Sequence, residues 1–166
     1  MEVREIVGDL LSSECSVICH QVNCMAVMGS GVSKAIRKRF PIVNEQYSTF
    51  LHRNYFIENG EKTNTSTFLG LCQIVKISDG TYVANLFGQD RYGNDGRQYT
   101  NYSALQCSLY NLRRLVLFGG YGIDSIAFPC ELGCGKSGGA NWERVRDMIL
   151  DTFKDLDIVI EFRRLA

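Results

Sequence analysis

The chain has 166 residues, 45% of them hydrophobic and 22% charged, a balance that suits a globular domain with a substantial core and excludes a disordered chain. Lysine plus arginine equals aspartate plus glutamate at 18 each, so the broad positive field of a nucleic-acid-binding surface is missing, whereas a small anionic ligand is compatible. No apolar run approaches the roughly 20 residues that cross a bilayer, and MEVREIVGDL at the start carries acids without a signal-peptide apolar region. The expectation is a cytosolic (cytoplasmic) protein with no membrane partner.

Glu2 to Val7 and Ser16 to Val22 are short runs rich in Val and Ile, which predicts two strands. A helix is predicted over Val32 to Phe40, and Pro41 opens a second one reaching Phe56, at a position where the missing N–H costs nothing. Two further strands, Leu71 to Ser78 and Thr81 to Phe87, flank Ser78-Asp79-Gly80, a tight-turn sequence that makes them an antiparallel pair. Tyr102, Leu105, Leu109, Leu112 and Val116 step by three or four, so Tyr102 to Phe118 reads as a helix with one core-facing stripe. A strand over Asp124 to Phe128 precedes a helix from Trp142 to Phe153, which has Asn141 as N-cap and Glu143 in its first turn. Asp157 to Arg163 is the last strand. The alternation predicts a three-layer α/β domain spanning 1–166, with a mixed sheet of six strands.

Ligand sites in open α/β sheets lie outside the carboxyl ends of strands, so the loops there hold the candidate chemistry. FPCELGCGKSGGANW, residues 128–142, contains Gly-Lys-Ser but is not a P-loop. Cys130 occupies the leading glycine position, and Gly138, Gly139 and Ala140 separate Lys136 from the helix start. What it retains is a glycine-dense turn able to aim several amides at one anion. GSGV at 29–32 is a second such turn. Seven cysteines, an odd number in mostly apolar or glycine-rich contexts and with no CxxC pair, read as reduced thiols; Cys19, His20 and Cys24 fall short of a zinc site, and no metal or cofactor is required. Cys107 and Arg113 have the spacing of a thiolate phosphatase, but CSLYNLR lacks glycine and reads as helix.

Taken in order, Gly8-Asp9-Leu10, a strand ending in Gln21-Val22-Asn23-Cys24, MGSGVSKAIRKRFP, and FPxxLGCG followed by Trp142-Glu143 resemble a macrodomain, the ADP-ribose-binding module. Within it they are similar to the branch of ADP-ribose 1''-phosphate phosphatases and terminal ADP-ribose protein-glutamate hydrolase. The resemblance implies that Asp9 receives the adenine amine with the Leu10 amide nearby; turn capping is the alternative for Asp9. It implies that Asn23 faces the distal ribose, and that Gly29, Ser30, Gly31 and Val32 wrap that ribose and the diphosphate. Gly133, Cys134, Gly135, Lys136, Ser137 and Gly138 would form the second phosphate loop. The implied partner is a small ADP-ribose derivative, with an ADP-ribosylated protein as a further class.

The glutamate-hydrolase relatives use an aspartate after the GCG turn and a lysine from the loop after a central strand. Here Lys136-Ser137-Gly138-Gly139 follows the turn and Gln89-Asp90-Arg91 opens the loop, so covalent lysine chemistry is not expected. Removal of the 1''-phosphate needs an anion cradle, an oriented water and a proton acceptor or donor. Asp90 first, then His20 and Asp95, are the candidates for proton transfer, and Asn85 for orienting substrate. A histidine inside VICHQV is equally a hydrogen-bonded core residue, and Asp90 and Asp95 are equally turn formers. His52 reads as surface. A non-catalytic reader of ADP-ribose and a hydrolase of O-acetyl-ADP-ribose or ADP-ribosyl esters are the other functions open to such a pocket.

Overall fold

In the computed structural model, which describes residues 1–135 and 138–166, the chain runs β1 (Glu2–Val7), β2 (Val17–Val22), α1 (Gly31–Arg39), α2 (Pro41–Asn54), β3 (Ile57–Glu58) and β4 (Glu61–Lys62). It continues β5 (Cys72–Ser78), β6 (Thr81–Phe87), α3 (Tyr102–Phe118), β7 (Ser125–Pro129), α4 (Trp142–Phe153) and β8 (Val159–Arg164). Six strands form one mixed sheet in the order β1-β8-β7-β2-β6-β5, parallel throughout except for β5 against β6. Among the described residues no helix is long and apolar enough to cross a membrane.

Strand alternation decides the layers. In β2, Val17 and Cys19 face one side and Ile18 and Val22 the other, all buried, so a central strand with two apolar faces must be covered twice. Leu105, Leu109 and Leu112 of α3 and Val145, Ile149 and Phe153 of α4 cover the first side against Phe128, Ile160 and Phe162. Ile36 of α1 and Val43, Tyr47 and Leu51 of α2 cover the second against Ile18, Val83 and Phe87. The predicted caps are present: Asn101 accepts from Ala104 N at the head of α3, and Asn141 from Arg144 N at the head of α4.

Two departures have local causes. The second helix stops at Asn54 rather than Phe56, because Tyr55 turns extended and sends its hydroxyl to the Cys24 carbonyl at 2.6 Å. The small hairpin of β3 and β4 turns at Asn59 and Gly60, both with positive φ of 51° and 77°. Strands of only two residues carry no alternation that a sequence pattern could reveal. Phe162 is fully buried against Phe128 and Trp142, so Phe162→Ala should lower unfolding free energy by about 3–5 kcal/mol. Urea denaturation reads this directly.

Candidate functional site

Because β1, β8, β7, β2 and β6 are parallel, the loops that leave them gather on one edge of the sheet. They border a cleft of two adjoining chambers that share Gly31, Val32, Cys130 and Glu131. The larger, about 780 Å³, is lined by Asp9, Leu10, Ala35, Trp142 and Phe162. The smaller, about 310 Å³, is lined by Gln21, Ser30, Ser33, Gly133, Gly135 and Gly138. A wider groove of about 970 Å³ lies at the amino ends of β1 and β8, but its floor residues Glu161 and Arg163 are already paired, with Ser13 also donating to Glu161.

The larger chamber combines apolar walls, Leu10, Ala35, Trp142 and Phe162 among them, with the carboxylates of Glu5, Asp9 and Glu131 and the guanidinium groups of Arg163 and Arg164. Arg163 donates to the Asp9 carbonyl and so ties the end of β8 to the turn after β1. One Asp9 carboxylate oxygen accepts from Leu11 N at 3.0 Å, the capping role that the sequence held open, and the residue remains exposed beside the buried Leu10. Trp142 stands edge-on to Phe162 with ring centroids 5.5 Å apart, forming the opposite wall.

The smaller chamber is built from backbone. Lys34 N is the first amide of α1 to bond back, to the Ser30 carbonyl, so the amides of Gly31, Val32 and Ser33 lie before the helical ladder begins. Ser30 as N-cap makes no side-chain cap bond, and the first turn carries no acid. The helix start therefore presents positive partial charge at this wall. Opposite it, the loop after β7 is folded on itself, with Ala140 N bonding the Gly133 carbonyl and Gly138 N the Gly135 carbonyl. Tyr99 N and Thr100 N both donate to the Gly138 carbonyl, so the loop after β6 is strapped to it. A Cβ on Gly138 would sit 2.1 Å from the Gly133 carbonyl oxygen, which is why glycine is required there. Lys136 and Ser137, assigned to this loop from the sequence, lie outside the described residues.

Gln21, named in the sequence only as part of the strand-end motif, wedges between the loops. Its amide nitrogen reaches Gln89 at 2.7 Å and Thr100 at 2.8 Å, and a Cβ on Gly88 would lie 2.3 Å from its oxygen. Asn23 is 8% exposed and shapes its own loop, giving to the Val27 carbonyl and accepting from Met25 N and the Tyr47 hydroxyl. Asp90 is half-buried; one carboxylate oxygen is inaccessible and has no hydrogen-bond partner among the described residues. Asp95 ties its own turn, accepting from Arg97 N and the Tyr99 hydroxyl. His52 is exposed and edge-on to Tyr55.

His20 and Asn85 do not reach the cleft directly. They are register partners on β2 and β6, 1% and 0% exposed, with His20 Nε2 against Asn85 Oδ1 at 2.5 Å. Asn85 Nδ2 donates to Gln73 Oε1 of β5, and Gln73 Nε2 donates to the Gln46 carbonyl of α2. A backbone carbonyl only accepts, so the whole row has one polarity: His20 carries its proton on Nε2, and Nδ1 is left as an acceptor. Nδ1 meets Ser33 Oγ at 2.9 Å, and Ser33 borders the smaller chamber. Serine three residues into a helix looks ordinary in sequence; only the fold brings a histidine beneath it.

Burial pushes the His20 imidazole down to about 4, with the Asn85 contact opposing only in part, so the ring is neutral near pH 7. Burial raises the Cys130 thiol, and it raises Cys134 to about 11 and Cys24 to about 12, the last assisted by the Asp90 charge. These thiols are protonated at neutral pH and are poor nucleophiles.

The folded state resists protonating His20 while the unfolded chain protonates it near 6.5. Stability from this group is complete above pH 6.5 and is lost as pH falls toward 4, by roughly 3 kcal/mol in all. Urea midpoints measured from pH 7 to 4.5 should fall more steeply in the wild type than in His20→Gln; equal slopes would contradict the assignment. Gly138→Ala should open the strap between the loops, reported by increased protease cleavage in residues 88–100.

No family model matches the chain. It is 26% identical over 156 residues to the DNA ADP-ribosyl glycohydrolase of Mycobacterium tuberculosis, a match covering 92% of the chain but only 40% of that protein's length. It is also 26% identical over 168 residues to the ADP-ribose 1''-phosphate phosphatase of Lodderomyces elongisporus, covering 95% of the chain and 96% of that protein. The macrodomain of Mycobacterium tuberculosis DarG superposes with a TM-score of 0.78 at 24% identity, covering 99% of this chain and 98% of that one. Thermosipho africanus DarTG in complex with ADP-ribose gives 0.73 at 20%, over 99% of this chain and 42% of that one. The sheet order, the two glycine loops and these superpositions together establish that this chain has the macrodomain fold.

Proposed function

We propose that the chain binds an ADP-ribose derivative along the cleft and hydrolyses the phosphate from ADP-ribose 1''-phosphate. The observation that carries the binding reading is the pairing of a chamber that has apolar walls at Leu10, Ala35 and Trp142 and the Asp9 carboxylate beside them, with a smaller chamber walled by backbone amides at the start of α1. A nucleotide has the same two halves: an apolar base with a donor amine, and a polar diphosphate with its sugar. In this reading the Asp9 oxygen not engaged by Leu11 receives the adenine amine beside Leu10. Gly29, Ser30, Gly31 and Val32 hold the diphosphate and distal ribose from one side, with Asn23 holding their loop in shape. Gly133, Cys134, Gly135 and Gly138 close over the other side. The same cleft would take ADP-ribose carried on a protein.

Phosphate removal is preferred because the loop after β6 reads Gln89-Asp90-Arg91 with no lysine, and no carboxylate follows Gly135, so the glycohydrolase pair is missing. The fungal relative that matches almost end to end is named a phosphatase of this compound. Asp90, in the loop after β6 that is strapped to the loop after β7, is assigned as the proton acceptor for the attacking water. Hydrolysis of an acyl ester such as O-acetyl-ADP-ribose is a second reading, favoured by the Ser33 hydroxyl that rests on a neutral imidazole at the chamber wall.

Calorimetric titration with ADP-ribose beside a phosphate-release assay separates these. Asp90→Ala should slow phosphate release by about a hundredfold or more while leaving ADP-ribose affinity in place. Unchanged release would remove Asp90 from the mechanism, and binding without release of any group would make the protein a reader.

A further inference from the structure

We infer that Ser33 is a nucleophile, activated by His20, that takes up the acyl group from an ester on the distal ribose of bound ADP-ribose. The inference rests on the ADP-ribose reading of the cleft and replaces direct attack by water for that class of substrate. Three observations converge on it. Ser33 Oγ stands 2.9 Å from His20 Nδ1 and 3.3 Å from the Gln21 carbonyl, so its single proton is directed to the nearer ring nitrogen. The Gln46 carbonyl, through Gln73 and Asn85, leaves Nδ1 as the open acceptor, which makes the row a hydroxyl, a base and an amide that orients the base. Ser33 borders the smaller chamber, whereas His20 and Asn85 are sealed behind it.

The surroundings select acyl rather than phosphoryl transfer for this hydroxyl. The dianionic phosphoryl group is left to the water route through Asp90, whereas Ser33, resting on a neutral imidazole, is matched to an uncharged carbonyl. A neutral carbonyl needs only donors for the oxyanion it becomes, and the first-turn amides of α1 stand at the same wall. The cleft thiols are held protonated and do not compete.

The step balances without a co-reactant other than water. The Ser33 proton passes to His20 Nδ1 as Oγ bonds to the carbonyl carbon and the carbonyl π pair moves onto oxygen. Collapse breaks the bond between that carbon and the ribose oxygen, which takes the proton from Nδ1 and leaves as the alcohol. Water then attacks acyl-Ser33, giving its proton to Nδ1; the carboxylic acid departs and Ser33 recovers its hydrogen. Asn85 is a positioning residue in this scheme.

The test uses the whole chain, O-acetyl-ADP-ribose and a fluorophosphonate serine probe, with ADP-ribose titration of the wild type alongside. The expected result is probe adduct mapped to Ser33, deacetylation reduced about a hundredfold or more in Ser33→Ala, and in Ser33→Cys an iodoacetamide reactivity that falls at least tenfold on adding His20→Gln. Deacetylation in Ser33→Ala within threefold of wild type, or a folded wild type whose Ser33 takes no probe, would overturn it. Labelled Ser33 in a protein that does not bind ADP-ribose would overturn the assigned ligand while keeping the nucleophile, so the two failures are distinct.

Discussion

A polar row laid across three apolar strands is the constraint on which this molecule turns. His20, Asn85 and Gln73 stand side by side on β2, β6 and β5, beneath α1 and α2. Each buried polar group left unpaired there would cost about 1–3 kcal/mol, so each must find its neighbour. The row disfavours other registers, because a slip of any one of these strands by a single residue would turn its member of the row to the other face of the sheet. Its ends are also determined: a backbone carbonyl of α2 closes one, and the Ser33 hydroxyl of α1 closes the other. The two helices are thereby placed relative to the sheet by hydrogen bonds as well as by their buried side chains.

The cleft follows from that placement. With the start of α1 held over the carboxyl end of β2, its first-turn amides face the loop after β7. That loop keeps its shape by backbone bonds and by the absence of side chains at Gly138, and it is joined through the Gly138 carbonyl to the loop after β6. Gln21 links the same loops from below through Gln89 and Thr100. The smaller chamber is thus largely backbone-built and braced by the Gln21 side chain at its wall.

Much of this was legible in the chain. Strong alternation and helical stripes located β1, β6, α3 and α4 at their observed bounds, and asparagine caps at 101 and 141 explain why α3 and α4 start where they do. Boundaries drifted where context decided them: α2 ends early because Tyr55 bonds across to Cys24, and the hairpin at 57–62 is too short to leave a pattern. Asp9 and His20 were each readable in two ways. Structurally, Asp9 caps its turn and lines the larger chamber, while His20 is a buried, hydrogen-bonded residue that nevertheless stands one contact from the smaller one.

The sequence by itself determined the α/β class, the mixed six-stranded sheet, the edge on which the loops gather and the glycine turns that line it, because periodicity and turn chemistry are local properties. Only the tertiary structure decided which polar residues meet. Ser33 lies 13 positions from His20, and His20 lies 65 from Asn85. Nothing in residue type announces those pairs; strand register and the seating of α1 create them, and with them the direction in which the proton on the imidazole must point.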